Sequence, residues 1–331
     1  MSGCTGAIGL HVLMPVFNDW AALEGTLQQL DRTLAEQGIA ASVLVVDDGS
    51  SISVPADLCA RDFKALARVE ILHLRRNLGH QRAIAIGLTF LHSETVGEAV
   101  VVMDADGQDR PEDVPALLRK FREESGRRIV FAARTRRSES LLFRLCYHGY
   151  RGLHRILTGV SVRVGNFSIV PFSSLSSLSV SAELWNHYSA AVFRSRLPYT
   201  MIPAPRASRT VGDPRMNFLQ LLLHGLSALS VYGEVIGARV LLVASVMLIL
   251  DVGILILIFL RQIVGTAPAP TWLLFTTGIL FILFFEIAVV SGVLIFRMLS
   301  SRASLTFLPI RDFRYFVRDI EEVFRRSAGP P

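Results

Sequence analysis

Lysine is nearly absent from this chain. Only Lys64 and Lys120 occur among its 34 basic residues, and arginine supplies the rest. The net charge is +6, yet no basic run carries interleaved aromatics, so no nucleic acid is expected as a partner. Cysteine is scarce as well. Cys4, Cys59 and Cys146 lie far apart and show no metal-ligand spacing, which points to reduced, cytosol-facing thiols. The first residues hold no basic stretch followed by an apolar core, so no signal peptide is expected. No internal repeat stands out. A membrane surface or a phosphorylated substrate remains for the basic charge to meet.

Apolar residues, by contrast, are in excess at 51% of 331, and the surplus gathers after Ile236. "IGARVLLVASVMLILDVGILILIFL" is long enough to cross a hydrocarbon core of ~30 Å, for which ~20 residues suffice. "RQIVGTAPAP" interrupts it, and "TWLLFTTGILFILFFEIAVVSGVLIF" is long enough to cross again. Two transmembrane helices joined by a short hairpin put both flanking regions on one side. Arg297, Arg302, Arg311, Arg314, Arg318, Arg325 and Arg326 follow the second span, whereas the hairpin carries only Arg261. The positive-inside rule therefore places both termini in the cytoplasm.

The first two hundred residues alternate strand and helix patterns. "LHVLMPV", "SVLVVDD", "RVEILHL", "EAVVVMD" and "RIVFAA" read as buried strands. Amphipathic helices fall between them, the first opening near Asp19 and stopping at Gly38. Such alternation predicts an α/β fold with a mainly parallel sheet. Ligands of such sheets bind beyond the carboxyl ends of the strands. "PVFND", "DDGS" and "DADGQD" each follow such an end and are expected to meet on one edge.

Asp104, Asp106 and Asp109 crowd into the last of these turns, where like charges repel. Asp104 and Asp106 are oxygen donors suited to Mg2+ or Mn2+, which one or two carboxylates plus substrate phosphate oxygens usually hold. The alternative is a solvated acidic turn with Asp109 capping the next helix.

An ordered set of stretches runs along nearly the whole chain: "MPVFND", "VVDDGSS", "RRNLGHQRAIAIGL", "MDADGQDRPED", "FAARTRR", "VGNFSIV" and "RASRTVGDPRMNF". With the two spans, it resembles family 2 glycosyltransferases of the GT-A fold. More narrowly, it is similar to the polyprenyl-phosphate glycosyltransferases, the group of dolichyl-phosphate mannose synthase. The resemblance implies a GT-A Rossmann-like nucleotide-sugar domain followed by an interfacial helix and a two-helix transmembrane hairpin. Pro15, Phe17, Asn18 and Asp19 resemble the wall that holds the donor nucleoside, with Asp19 where Glu is commoner. Asp48 looks like the acid that bonds base or ribose. Asp104 and Asp106 resemble the metal-binding pair, with Gln108 beside them. Arg134 resembles the arginine near the diphosphate. Arg209 and Arg215 resemble a basic pair whose family pattern has a hydroxyl residue and Lys where this chain has Pro214 and Arg215. Each arginine has a solvated surface charge as its alternative. Asp106, Arg134 and Arg209 are the expected catalytic groups.

The family often has Gly-Asp-Phe where this chain has Gly165, Asn166 and Phe167. Asn cannot act as a base. A phosphomonoester has a second pKa of about 6, so a lipid phosphate needs charge compensation and positioning, whereas a sugar hydroxyl needs a base. The resemblance thus implies inverting, metal-dependent transfer of one sugar from a nucleotide diphosphate sugar to undecaprenyl or dolichyl phosphate. The setting it implies is a bacterial inner membrane, with membrane lipid as a partner and a homo-oligomer left open. One competitor is a glycosyltransferase with another lipid or glycan acceptor. Processive synthases of this fold usually carry Gln-x-x-Arg-Trp, which does not occur here. The other competitor is a non-catalytic, membrane-anchored nucleotide-sugar binding protein.

The expected organisation is a cytosolic catalytic domain over 1–216, an amphipathic juxtamembrane helix over 217–235, the two spans over 236–296 with the hairpin near 261–270, and a basic cytosolic tail over 297–331. A packed core helix is the alternative for 217–235. Asp251 and Glu286 fall within the spans, where a charge costs roughly 2.5–3.5 kcal/mol on insertion scales. They could lie on one polar seam of the hairpin or at a contact between subunits; the alternative is that each is protonated and hydrogen-bonded to backbone or to Ser245, Thr276 or Ser291.

Overall fold

The computed structural model describes residues 9–59, 62–134, 149, 152–159, 164–205, 225–265, 270–301 and 307–326. They form two compact units, one of residues 1–146, 162–231 and 307–331, the other of 147–161 and 232–306.

In the first unit, β1 (Leu10–Val16), α1 (Trp20–Glu36), β2 (Ala41–Asp47), α2 (Ala56–Cys59), β3 (Leu66–Leu74), α3 (His80–Glu94) and β4 (Ala99–Val102) follow one another. Then come α4 (Val114–Glu123) and β5 (Ile129–Arg134). In the second unit a short helix, α5, covers 152–158. The chain returns through β6 (Val164–Pro171), α6 (Leu175–Ser179), α7 (Tyr188–Arg194) and β7 (Tyr199–Ala204). A helical turn, α8, covers 225–230. Two long helices, α9 (Gly233–Ile263) and α10 (Thr271–Ser301), precede α11 (Pro309–Asp312) and β8 (Val317–Arg325).

All eight strands join one sheet in the order β7-β5-β6-β4-β1-β2-β3-β8. Its central strands are apolar without interruption because both faces are covered. Val12, Met14, Val43, Val45 and Val101 pack with α1 and α4 on one face. Leu13, Leu44, Val46, Val100 and Val102 pack with α3, α6 and α7 on the other. Successive side chains point to opposite faces of a strand, so each strand feeds both layers. Pro15 sits in β1 without disrupting the sheet. The pairing of β1 with β4 ends at Leu13, so the amide that Pro15 lacks falls where β4 has already left.

The sheet is more mixed than the alternating pattern predicts. β6 runs antiparallel to both β4 and β5, and β8 runs antiparallel to β3. β6 is inserted between two strands that precede it in the chain. The segment after 297 is likewise no continuous tail. α10 runs to Ser301, and Pro309–Arg325 folds back through α11 to give the sheet its last strand. Expected helix residues 217–224 lie outside the described residues.

In the second unit, α9 and α10 pack side by side, each with 30 or more residues long and apolar enough to cross a membrane. A Cβ added to Gly237 would stand 2.9 Å from Ile295, which sets the two helices in close, antiparallel contact. Ala244, Asp251 and Ile258 are the buried residues of α9 and recur every seven positions, the period of a helix–helix seam. Asp251 therefore faces the partner helix, and its Oδ2 is buried with no hydrogen-bond partner among the described residues. Glu286 is on the exposed side of α10. The two acids do not share a buried seam: Asp251 is buried and Glu286 is exposed.

Asp31 anchors α1 to the entry of β3. It is 9% exposed, and its carboxylate accepts the amides of Lys64, Ala65 and Leu66 at 3.0, 2.7 and 3.0 Å. Asp31→Ala leaves these donors without an acceptor, at roughly 1–3 kcal/mol for each buried one. Chemical or thermal melts should register a loss of that order; an unchanged midpoint would contradict this anchoring role.

Candidate active site at the carboxyl edge of the sheet

Local hydrogen bonds tie the ends of β1 and β2 together. The Asp48 amide donates to Val16 O at 2.9 Å. Asn18 adopts a positive φ of 53°, and its Oδ1 accepts the amides of Ser51 and Ile52 at 2.9 and 3.0 Å. Its own amide donates to Ser50 Oγ at 2.8 Å. Phe17 stands 42% exposed beside this clamp. Asp19 is the N-cap residue before α1, although its side chain makes no capping bond.

The two acids ending β2 are buried and occupied differently. Asp47 accepts the Ser50 amide at 2.9 Å and stands 2.9 Å from His73 Nδ1. Asp48 accepts the amides of Leu78 and Gly79 at 2.7 and 2.8 Å, one on each oxygen. Burial pushes Asp48 up from 3.8 to about 6, against the lowering effect of those two amides. Gly49 has a φ of 71°, and a Cβ there would meet Arg76 C at 2.5 Å. Only glycine lets the Asp48 turn pass so close to the Arg76 backbone.

At the end of β4, Asp104 donates its amide to Asp109 Oδ2 at 3.0 Å, and Gln108 donates its amide to Asp106 Oδ1 at 3.0 Å. Gly107, with φ 76°, makes the turn between them. Asp109 closes this loop and does not cap the following helical turn, whose N-cap is Arg110. His80, the first residue of α3, places Nε2 3.0 Å from Asp104 Oδ1. Burial would lower the pKa of His80, but the carboxylates of Asp104, Asp109 and Asp106 outweigh it and hold the imidazole above its ordinary value.

Asn166 of β6 reaches the same cluster. Its Nδ2 stands 3.0 Å from His80 Nε2, and its Oδ1 accepts Gln81 Nε2 at 3.2 Å. Gln81 Oε1 in turn accepts the Tyr188 amide at 2.8 Å.

Phe17, Asp19, Asp48, Asp104, Asp106 and Gln108 thus all follow the carboxyl ends of β1, β2 and β4. Arg134 ends β5 on the same edge, since β5 and β4 are both antiparallel to β6. Its side chain lies outside the described part, as do Arg209 and Arg215 entirely. Residue patterns alone did not single out His80, Gln81 or His73. The available signal for His80 was its place directly after Gly79, at the start of the helix that follows β3. Among the described residues no group of three or more His, Cys, Asp or Glu is disposed to hold a metal by itself.

Comparison with known proteins gives a family-level match. The model described as glycosyl transferase family 2 matches residues 11–178. The chain is 28% identical over 250 residues to an undecaprenyl-phosphate 4-deoxy-4-formamido-L-arabinose transferase of Klebsiella pneumoniae, covering 69% of this chain and 72% of that protein. It is 26% identical over 234 residues to the uncharacterized glycosyltransferase YkcC of Bacillus subtilis, covering 67% and 69%. Glucosyl-3-phosphoglycerate synthase from Mycobacterium tuberculosis, solved with Mn2+, UDP-glucose and phosphoglyceric acid, superposes with a TM-score of 0.50 at 17% identity. That match covers 70% of this chain and 80% of that one and identifies the fold as GT-A.

The raised pKa of Asp48 has a definite sign. A carboxyl that binds its proton more tightly folded than unfolded stabilises the fold most below its unfolded pKa. That contribution is lost as pH rises through about 6. The melting temperature of the wild type relative to Asp48→Asn should therefore fall between pH 4 and pH 7. A flat difference across that window would show that Asp48 titrates normally.

Proposed function

The chain belongs to glycosyl transferase family 2 and is a glycosyltransferase; from that premise we propose that it moves a single sugar from a nucleotide diphosphate sugar to a polyprenyl phosphate at the cytosolic membrane face. One conjunction carries this reading. The edge that gathers Phe17, Asp48, Asp104 and Asp106 belongs to a chain with two helices long and apolar enough to span a bilayer. The undecaprenyl-phosphate transferase among the relatives supports the acceptor class.

Sheet topology supports the orientation. β8 pairs with β3, so the chain before α9 and the chain after α10 end in one sheet. If α9 and α10 cross a membrane, α9 must begin and α10 must end on the side that holds this sheet. Arginines crowd that side and favour the cytoplasm.

Asp104 and Asp106 fit a shared metal site rather than a closed one. Two carboxylates in a turn, with Gln108 beside them, leave positions for diphosphate oxygens, the usual arrangement for Mg2+ or Mn2+. A bound ion would neutralise the leaving diphosphate. Phe17 and Asp19 would border the nucleoside. Asp48 holds the Leu78–Gly79 turn in place through two amides. Arg134, Arg209 and Arg215 would balance the charge of diphosphate and acceptor phosphate. Asn166 takes no proton. A dianionic acceptor phosphate needs none removed, so it can attack the anomeric carbon directly and invert it.

Transfer of radiolabel from nucleotide sugars into extracted polyprenyl phosphate tests the reaction. Asp106→Asn should lower the rate at least a hundredfold while the protein still folds and inserts, and EDTA should do the same to the wild type. Full activity of Asp106→Asn, or label that enters no polyprenyl phosphate, would refute the proposal. For orientation, a reporter after Pro331 should report the cytoplasm, and one near Ala267 the opposite side. The reverse pattern would contradict it.

A further inference from the structure

The C-terminal strand does more than close the sheet. Beside the Asn18 clamp lies a cavity of about 360 Å³, lined by Asp47, Ser50, Ser53, His73, Arg318 and Glu321 among others. Its size falls within the roughly 300–1,000 Å³ of small-ligand sites. Its floor is formed by the carboxyl ends of β2 and β3, and one wall is the loop that Asn18 holds. The opposite wall is β8, which enters the sheet only after the two long helices.

Two features show that this wall is shaped rather than incidental. Residues 318 and 321 would point to opposite faces of a regular strand, since alternation has a period of two. Here the register shifts between His73 and Leu74. His73 pairs with Asp319 and Leu74 with Val317, which leaves Arg318 as the extra residue of a bulge. Bulges re-aim a side chain and are frequent beside functional sites. This one brings Arg318 to the same cavity as Glu321. Glu321 is in turn held from below. His73 is buried and bridges Asp47 Oδ2 and Glu321 Oε2 at 2.9 and 3.3 Å, so the carboxylate is fixed relative to the β2 turn. Its second oxygen remains beyond that bond.

A guanidinium only donates and a carboxylate only accepts. Arg318 gives Nε to the neighbouring Asp319 at 3.2 Å and has further N–H donors besides. Lining one cavity, the two side chains match a planar edge with an acceptor next to a donor, which is the edge of a nucleobase. We propose that Arg318 and Glu321 read the base of the donor nucleotide, so that donor specificity is written partly in the C-terminal strand. This rests on the nucleotide-sugar reading above and adds the residues that choose the base. Asp104 and Asp106 would meet the diphosphate, whereas β8 would meet the nucleoside end.

Calorimetric titration of the full chain in detergent with UDP, GDP, CDP, ADP and inorganic diphosphate, each with Mg2+, tests this. The wild type should prefer one base by at least tenfold. Arg318→Ala, which alters an exposed side chain, and Glu321→Gln should each cut that preference at least fivefold. Affinity for inorganic diphosphate should stay within twofold in both. Melting curves recorded alongside identify any variant that loosens β8, and Arg318→Ala then decides. An unchanged base preference in Arg318→Ala, an equal loss for inorganic diphosphate, or a wild type indifferent to the base would overturn the proposal. A wild type that binds inorganic diphosphate but no nucleotide would overturn the donor reading together with it.

Discussion

Negative charge crowded at one edge of a sheet is the constraint around which the site is built. Asp47, Asp48, Asp104, Asp106 and Asp109 all sit at the carboxyl ends of β2 and β4. Repulsion among them would splay the loops apart if nothing opposed it. Backbone amides supply much of the opposition. Asp48 takes those of Leu78 and Gly79, Asp47 that of Ser50, Asp106 that of Gln108 and Asp109 that of Asp104. Each such bond fixes a loop as well as a charge. The acids that crowd the edge are therefore also what hold its turns in shape.

The second organising constraint is connectivity. A chain that places its last strand beside β3 must bring two long apolar helices out and back between strands of the same sheet. This ties the pair of long apolar helices to the sheet-bearing unit at both ends of the chain segment rather than at one. β8 also carries the bulge that turns Arg318 toward the cavity beside Ser50. The chain after the helices thus contributes to the edge that the first hundred residues define.

Much of this was legible in the sequence, and the limits are physical. β1 to β5 could be read because strands buried on both faces are unbroken apolar runs, and the acids at their ends could be read because the runs stop there. β6 escaped because "VGNFSIVP" mixes polar residues into the strand, with Asn166 and Ser168 satisfied by partners distant in sequence. β8 escaped because "VRDIEEVFR" lies at the sheet's edge. Only Val323 of it is fully buried, so charged residues dominate and the stretch looks like a solvated tail. His80 escaped for a related reason. Its importance arises only when β6 lies next to β4 and brings Asn166 against it, an adjacency that no local pattern encodes. Glu286 and Asp251 show the reverse limit. Their depths could be estimated from the sequence, but only helix packing separates a buried seam from an exposed face.

Asn166 illustrates how a substitution in a family position is decided by its neighbours. The Tyr188 backbone amide can only donate, so it fixes Gln81 with Oε1 toward it and Nε2 toward Asn166. Asn166 must then turn its oxygen to Gln81 and its nitrogen to His80. An aspartate at the same place could still accept from Gln81 Nε2, but it would add a further carboxylate next to Asp104. The amide avoids that added charge and keeps the Gln81 contact. Position 166 in this chain therefore sets a neutral amide, which can take no proton, beside His80 and the acidic turn.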